Sequence, residues 1–168
     1  LRKKFGFLFQ GSALFDSMTV EENVGLPLVE SKIIRSKSDI KTAVEEKLSL
    51  VGLSGNLNLK PSELSGGMKK RVALARALIT NPSYILYDEP TTGLDPIMSD
   101  SIDNLIKDLA EKLNVTSIVV THDMYSVKNV ANKVAMMNDG IIYFTGKPEE
   151  LINSSDKVIV DFIRRTEV

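Results

Sequence analysis

Hydrophobic and polar positions along the chain fall into two periods. Three short, unbroken apolar runs, Phe5-Gly6-Phe7-Leu8-Phe9, Tyr84-Ile85-Leu86-Tyr87 and Ser117-Ile118-Val119-Val120, predict buried strands of the kind that fill parallel sheets. Between and after them, apolar residues recur at helical spacing. Thr19 followed by Glu21 and Glu22 predicts a helix start, because acids are favoured in a first turn, and Pro27 is expected to end or bend that segment. Residues 31–38 are polar and basic and predict a loop. Ile40, Ala43, Val44, Leu48 and Val51 predict a helix from Asp39 to Val51, capped by Ser38 or Asp39 and closed by Gly52. Residues 54–62 predict a second loop ending in Pro61-Ser62. The next helix is expected after Ser65, reaching Thr80 and stopped by Asn81-Pro82. Pro96 opens another, with Ile102, Leu105, Ile106, Leu109 and Leu113 on one face. A short helix after Asp123, a hairpin over 133–145 turning at Asp139-Gly140, a short helix from Pro148 and a helical tail from Asp156 to Arg165 complete the pattern.

The strand–helix–strand–helix order after Tyr84 indicates an α/β fold with a parallel sheet. Residues 20–75 are mainly helical and interrupt that order, as a lobe inserted into the α/β core would. The division this suggests is 1–19, a strand and its loop; 20–80, the helical lobe; and 81–168, the α/β core with a tail. Composition adds limits. With 43% hydrophobic and 26% charged residues, the chain has the make-up of a folded protein. A net charge of −1 gives no general pull toward nucleic acid and no polybasic anchor. The absence of cysteine excludes disulfides and thiol chemistry. No apolar run reaches the roughly 20 residues that cross a bilayer. The start at Leu1, almost directly in a strand, reads as the cut edge of a longer sequence.

Four features carry candidate chemistry. Leu64-Ser65-Gly66-Gly67-Met68 places a serine and two glycines at a helix start, where unpaired N–H groups and a partial positive charge suit an anion; a plain helix cap is the simpler reading. Asp88-Glu89 ends an apolar strand at the sheet edge where α/β proteins bind ligands. Asp88 could hold Mg²⁺ directly or through water, and Glu89 could act as general base toward an attacking water; acids at strand ends are also commonplace. His122, the single histidine, follows another strand and would share that edge, where an imidazole could bond a phosphate oxygen. Gln10 ends the first strand, and its amide suits a position that senses a metal-held water.

Taken in order, these features resemble the nucleotide-binding domain of ABC transporters, a P-loop NTPase-like core with an inserted α-helical lobe. Gln10 matches the Q-loop glutamine, Leu64 to Met68 the signature, Ile85 to Glu89 the Walker B motif with its catalytic glutamate, Thr92 to Asp95 the D-loop, and His122 the switch histidine. The resemblance implies ATP and Mg²⁺ as ligands, with nucleotide contacts from Gln10, Ser65, Gly66, Gly67, Asp88 and His122, catalysis by Glu89 and His122, and Mg²⁺ at Asp88 and Gln10, partly through water. It implies a head-to-tail dimer with a second copy through Leu64, Ser65, Gly66, Gly67 and Asp95, a transmembrane permease as partner, and a peripheral place on the cytoplasmic face of the inner membrane. The run from Phe7 to Phe15, Met68 and Asp95-Pro96-Ile97 are similar to ATPases of Mla-type lipid transporters, which would add a lipid cargo and an MCE-domain lipid-binding protein. Other cargoes (amino acids, metals, lipoproteins) use the same motifs, and a non-catalytic docking module is a further alternative. Only about 55 residues separate Gln10 from Ser65, which argues against the DNA-repair and chromosome ATPases with their long coiled coil. One departure stands out. No G-x-x-x-x-G-K followed by Ser or Thr occurs, so the N-terminal phosphate-gripping part of the core is absent. The 168 residues alone are therefore expected to bind ATP poorly, to be inactive and to leave apolar sheet surface bare.

Overall fold

The computed structural model describes residues 4–31, 33 and 36–166. They form two compact units, 1–120 and 121–168. The first contains β1 (Phe5–Leu8), α1 (Val20–Glu30), α2 (Lys37–Leu50), α3 (Gly66–Leu78), β2 (Tyr84–Asp88), α4 (Pro96–Leu113) and β3 (Thr116–Val120). The strands make a parallel sheet in the order β1-β2-β3, with Phe5 opposite Tyr84 and Tyr84 opposite Thr116.

Register puts Gly6, Leu8, Ile85 and Tyr87 on one face. That face is buried, with α3 packed on β1 and α4 on β3. Gly6 permits the close approach of β1 to α3: a Cβ there would overlap the carbonyl oxygen of Ala77. The opposite face corrects the expectation of fully buried strands. Phe7 is 47%, Ile118 48% and Val120 59% exposed, and an aromatic ladder runs along it, Phe5 stacked on Tyr84 at 5.1 Å and Phe7 on Phe9 at 6.1 Å. An apolar run records hydrophobicity but not whether both faces are covered, and here the expected bare apolar surface is what the described residues present.

The lobe of α1 and α2 packs on α3. Thr19 closes a capping box: its Oγ1 accepts from the Glu22 N–H at 3.2 Å and its own N–H donates to Glu22 Oε2 at 2.8 Å. Pro27 does not end the segment: α1 runs on through it to Glu30. The ring removes one helix hydrogen bond, but Val20, Val24 and Leu28 keep a continuous buried stripe across it. A second correction concerns α2, which starts at Lys37 after Ser36 rather than at Asp39. Its first turn precedes any apolar residue, so the period could not register it. The end is as expected. Gly52, at φ +70°, follows the helix, its N–H donating to Ser49 O at 3.1 Å and that of Leu53 to Leu48 O at 2.8 Å, the paired bonds of a Schellman motif. The expected 31–38 loop falls in part on 32, 34 and 35, outside the described residues.

The second unit holds α5 (Met124–Val130), the antiparallel pair β4 (Val134–Asn138) and β5 (Ile141–Gly146), α6 (Pro148–Ile152) and α7 (Lys157–Thr166). Asp139 and Gly140 turn the hairpin with positive φ, as the Asp-Gly pair predicts. Met124, Met136, Leu151 and Ile159 are its core, and Phe162 and Ile163 of α7 pack against them. The tail is thus a helix docked on its own unit; its last two residues, 167 and 168, lie outside the described ones.

Candidate functional site

Asp88 and Glu89 leave the carboxyl end of β2, the middle strand. Asp88 is exposed and Glu89 half-buried. Glu89 has φ +46°, a left-handed conformation unusual for a residue with a Cβ. Several bonds fix it there. Its N–H donates to Val120 O at 2.9 Å, Thr92 Oγ1 donates to its Oε2 at 2.9 Å, and its carbonyl accepts from Lys70 Nζ at 3.1 Å.

Lys70 also donates to the carbonyl of Gln10 at 2.6 Å. One ammonium therefore joins the backbones after β1 and β2, which are neighbouring strands, to α3. The side chain is 5% exposed, and burial lowers the ammonium's pKa while Glu89 and Asp88 pull it back. Farther along α3, Arg76 donates to Ser12 O at 2.6 Å and Ala13 O at 2.7 Å, holding the two positive-φ residues of the Gln10 turn. Asn23, fully buried, accepts from the Phe15 N–H at 2.8 Å and donates to Phe15, Met18 and Thr19 carbonyls, shaping the loop before α1. Sequence reading passed over Lys70, Arg76 and Asn23. The signal for Lys70 was there: with Ala73, Leu74, Ala77 and Leu78 it lies on the buried stripe of α3, where an unpartnered lysine has no reason to be.

Ser65 caps α3, its Oγ accepting from the Met68 N–H at 3.3 Å. Leu64 is buried beneath it, while Ser65 and Gly66 are exposed. Gly67 is buried against Met98 of α4, whose terminal methyl a Cβ would overlap. The simpler reading of the segment, a capped helix, is thus present, with Ser65 and Gly66 exposed at the N-terminus of α3. Asp95 likewise caps α4, Oδ1 accepting from the Met98 N–H at 3.0 Å. The structure joins Gln10 and Glu89 through Lys70 and places Asp88 beside them. His122 is exposed and lies in the second unit, just before Asp123, which caps α5 by accepting from the Tyr125 N–H at 2.9 Å.

No cluster of three or more His, Cys, Asp or Glu able to hold a metal occurs among the described residues. That donor set fits Mg²⁺ carried in with a nucleotide, since Mg²⁺ keeps water and phosphate ligands and needs only one or two protein oxygens such as the exposed Asp88 carboxylate. The 168 residues hold no lysine-bearing phosphate loop.

The family model described as "ABC transporter" matches residues 1–92. A methionine import ATP-binding protein of Staphylococcus aureus is 43% identical over 153 residues, 91% of this chain and 44% of its own length. The chain thus spans under half of that relative. Among solved structures, a dimeric post-hydrolysis state of an ATP-binding cassette bound to ADP and Pi superposes with a TM-score of 0.77 at 37% identity, over 88% of this chain and 64% of that one. The protein cbiO1 from Clostridium perfringens, part of the ABC transporter complex cbiONQ, gives 0.82 at 29% identity over 99% and 67%. With the carboxylates at the carboxyl end of the middle strand and the capped Ser-Gly-Gly helix beside them, these matches show that the chain belongs to the ABC transporter family and to its ATP-binding domain.

Proposed function

We propose that these residues are the signature-bearing part of an ATPase subunit that drives a membrane permease. The observation that carries this is the fixed Glu89: an acid at the edge of a parallel sheet, held in a left-handed conformation by its bonds to Val120, Thr92 and Lys70, with Asp88 beside it. Glu89 takes the proton of the attacking water as general base. Asp88, with Gln10, would hold the Mg²⁺ that accompanies ATP, and that ion would offset the phosphate charge; His122, by its place in the order of motifs, is the candidate for a phosphate contact. Ser65, Gly66 and Gly67, at the N-terminus of α3, serve the nucleotide of a second copy, with Leu64 and Asp95 in the same head-to-tail interface. The phosphate loop that grips ATP has to come from residues beyond these 168. Divided by task, 1–19 sense, 20–80 carry the signature, and 81–168 do the chemistry.

The relatives favour a small amino acid of the methionine class as cargo, with the subunit peripheral on the cytoplasmic face beneath its permease. No helix among the described residues is long and apolar enough to cross a membrane itself. The second reading, a phospholipid cargo with an MCE-domain partner, has the run from Phe7 to Phe15 and Met68 in its favour. Turnover of the full-length parent, reconstituted with its permease, tests both. Stimulation by methionine supports the first cargo and stimulation by phospholipid the second. Glu89→Gln should abolish hydrolysis, keep ATP binding and trap a dimer; near-normal hydrolysis would remove Glu89 as the base.

A further inference from the structure

Lys70 does more than fill a place on the signature helix. Its ammonium has three donors, and two go to backbone carbonyls on separate segments: Gln10 at 2.6 Å and Glu89 at 3.1 Å. Those segments leave the carboxyl ends of paired strands, Leu8 opposite Tyr87. The Glu89 carbonyl belongs to the residue held at φ +46°, and a peptide in that conformation has little local preference to keep it there. A neutral apolar side chain at position 70 would take the lysine donor from the Gln10 carbonyl and leave the Glu89 carbonyl only the longer bond from the Thr92 N–H at 3.3 Å.

We propose that Lys70 is a positioning residue for hydrolysis: bonded to the Gln10 and Glu89 carbonyls at once, it holds the Glu89 backbone in the left-handed turn that aims the carboxylate, and ties that aim to the Gln10 loop. Lys70 is 5% exposed with its ammonium on two backbone carbonyls, so it acts through Glu89. The inference rests on the ATPase reading above.

A lysine with this role affects the chemical step and not ground-state binding. In the full-length parent assembled with its permease, Lys70→Met should lower kcat about 10- to 100-fold, as a misaimed catalytic group does. KM for ATP should stay within about twofold, since a side chain this buried acts on Glu89 rather than on bound ATP. Lys70→Gln keeps an amide donor but cannot reach both carbonyls, and should fall between. Added to Glu89→Gln, Lys70→Met should leave ATP-driven dimer trapping intact, because the group it aims is already silent. An unchanged kcat in either single variant overturns the inference, as does a rise in KM that accounts for the whole loss, or a lower unfolding temperature with normal turnover per folded molecule. If Lys70→Met does not fold, Lys70→Gln decides by the same criteria. Absence of turnover in the wild-type parent overturns the ATPase reading and this inference with it; normal wild-type turnover beside a normal Lys70→Met overturns this inference alone.

Discussion

The conformation of Glu89 can be tested by stability without any nucleotide. At φ +46° a Cβ crowds the backbone, at a cost of roughly 1–2 kcal/mol. Glycine escapes that cost but loses roughly 0.5–1 kcal/mol more chain entropy on folding than alanine. Glu89→Gly should therefore be more stable than Glu89→Ala by about 0.5–1 kcal/mol, whereas at an ordinary φ alanine would win by a similar margin. Both variants lose the bond from Thr92 Oγ1 to Glu89 Oε2, so that loss cancels. Urea unfolding followed by circular dichroism gives the difference from midpoints at a shared slope. An alanine variant equal to or more stable than the glycine one would show that Glu89 is not held left-handed, and the account of its aim would fall with it.

Four other outcomes follow from the structure. Burial pushes the Tyr87 hydroxyl up to about 12 from an ordinary 10.0. Between those values only the unfolded chain loses the proton, so stability should fall by about 1.4 kcal/mol for each pH unit, and Tyr87→Phe should abolish that fall when its unfolding is compared with the wild type from pH 9 to 12. The same hydroxyl has no hydrogen-bond partner within bonding distance among the described residues, so Tyr87→Phe should cost little or even stabilise near pH 7. Gly6→Ala forces β1 off α3 against backbone and should lower stability by about 1–3 kcal/mol; a wild-type urea midpoint would contradict the close approach. Ser65→Arg in the full-length parent should leave ATP binding by the monomer unchanged and block ATP-driven dimerisation by gel filtration; lost monomer affinity would mean that the segment serves its own nucleotide.

Much of the fold was legible because its signals are local. Ser65 starts its helix where a cap was expected, Pro96 opens α4, and Asp139-Gly140 turns the hairpin. What escaped depends on the third dimension. Pro27 lies inside α1 because a buried stripe outweighs one missing bond. Phe7 and Ile118 are exposed because sequence cannot say how many faces of a sheet are covered. For the candidate site, residue types and order gave Gln10, Ser65, Asp88, Glu89 and His122 as a set. They could not give the left-handed Glu89, which tertiary bonds impose, nor Lys70, whose burial shows only when the α3 stripe is counted as a stripe and its charge is asked for a partner.

The pairing of Phe5 with Tyr84 also sets a timetable. The partner of the first strand is about 80 residues away, so a chain made at about 5–20 residues per second leaves β1 without it for about 4–16 s. During that wait the helices can form, since their bonds are local, while Phe5 lacks the Tyr84 ring it later stacks on. Closing the sheet then carries the entropy of a long loop, softened because α1, α2 and α3 have already shortened it. The aromatic ladder that later lines the exposed face thus waits for β2 before it is complete, and a polar substitution at Phe9, 51% exposed, would shorten its apolar stretch without touching the buried face.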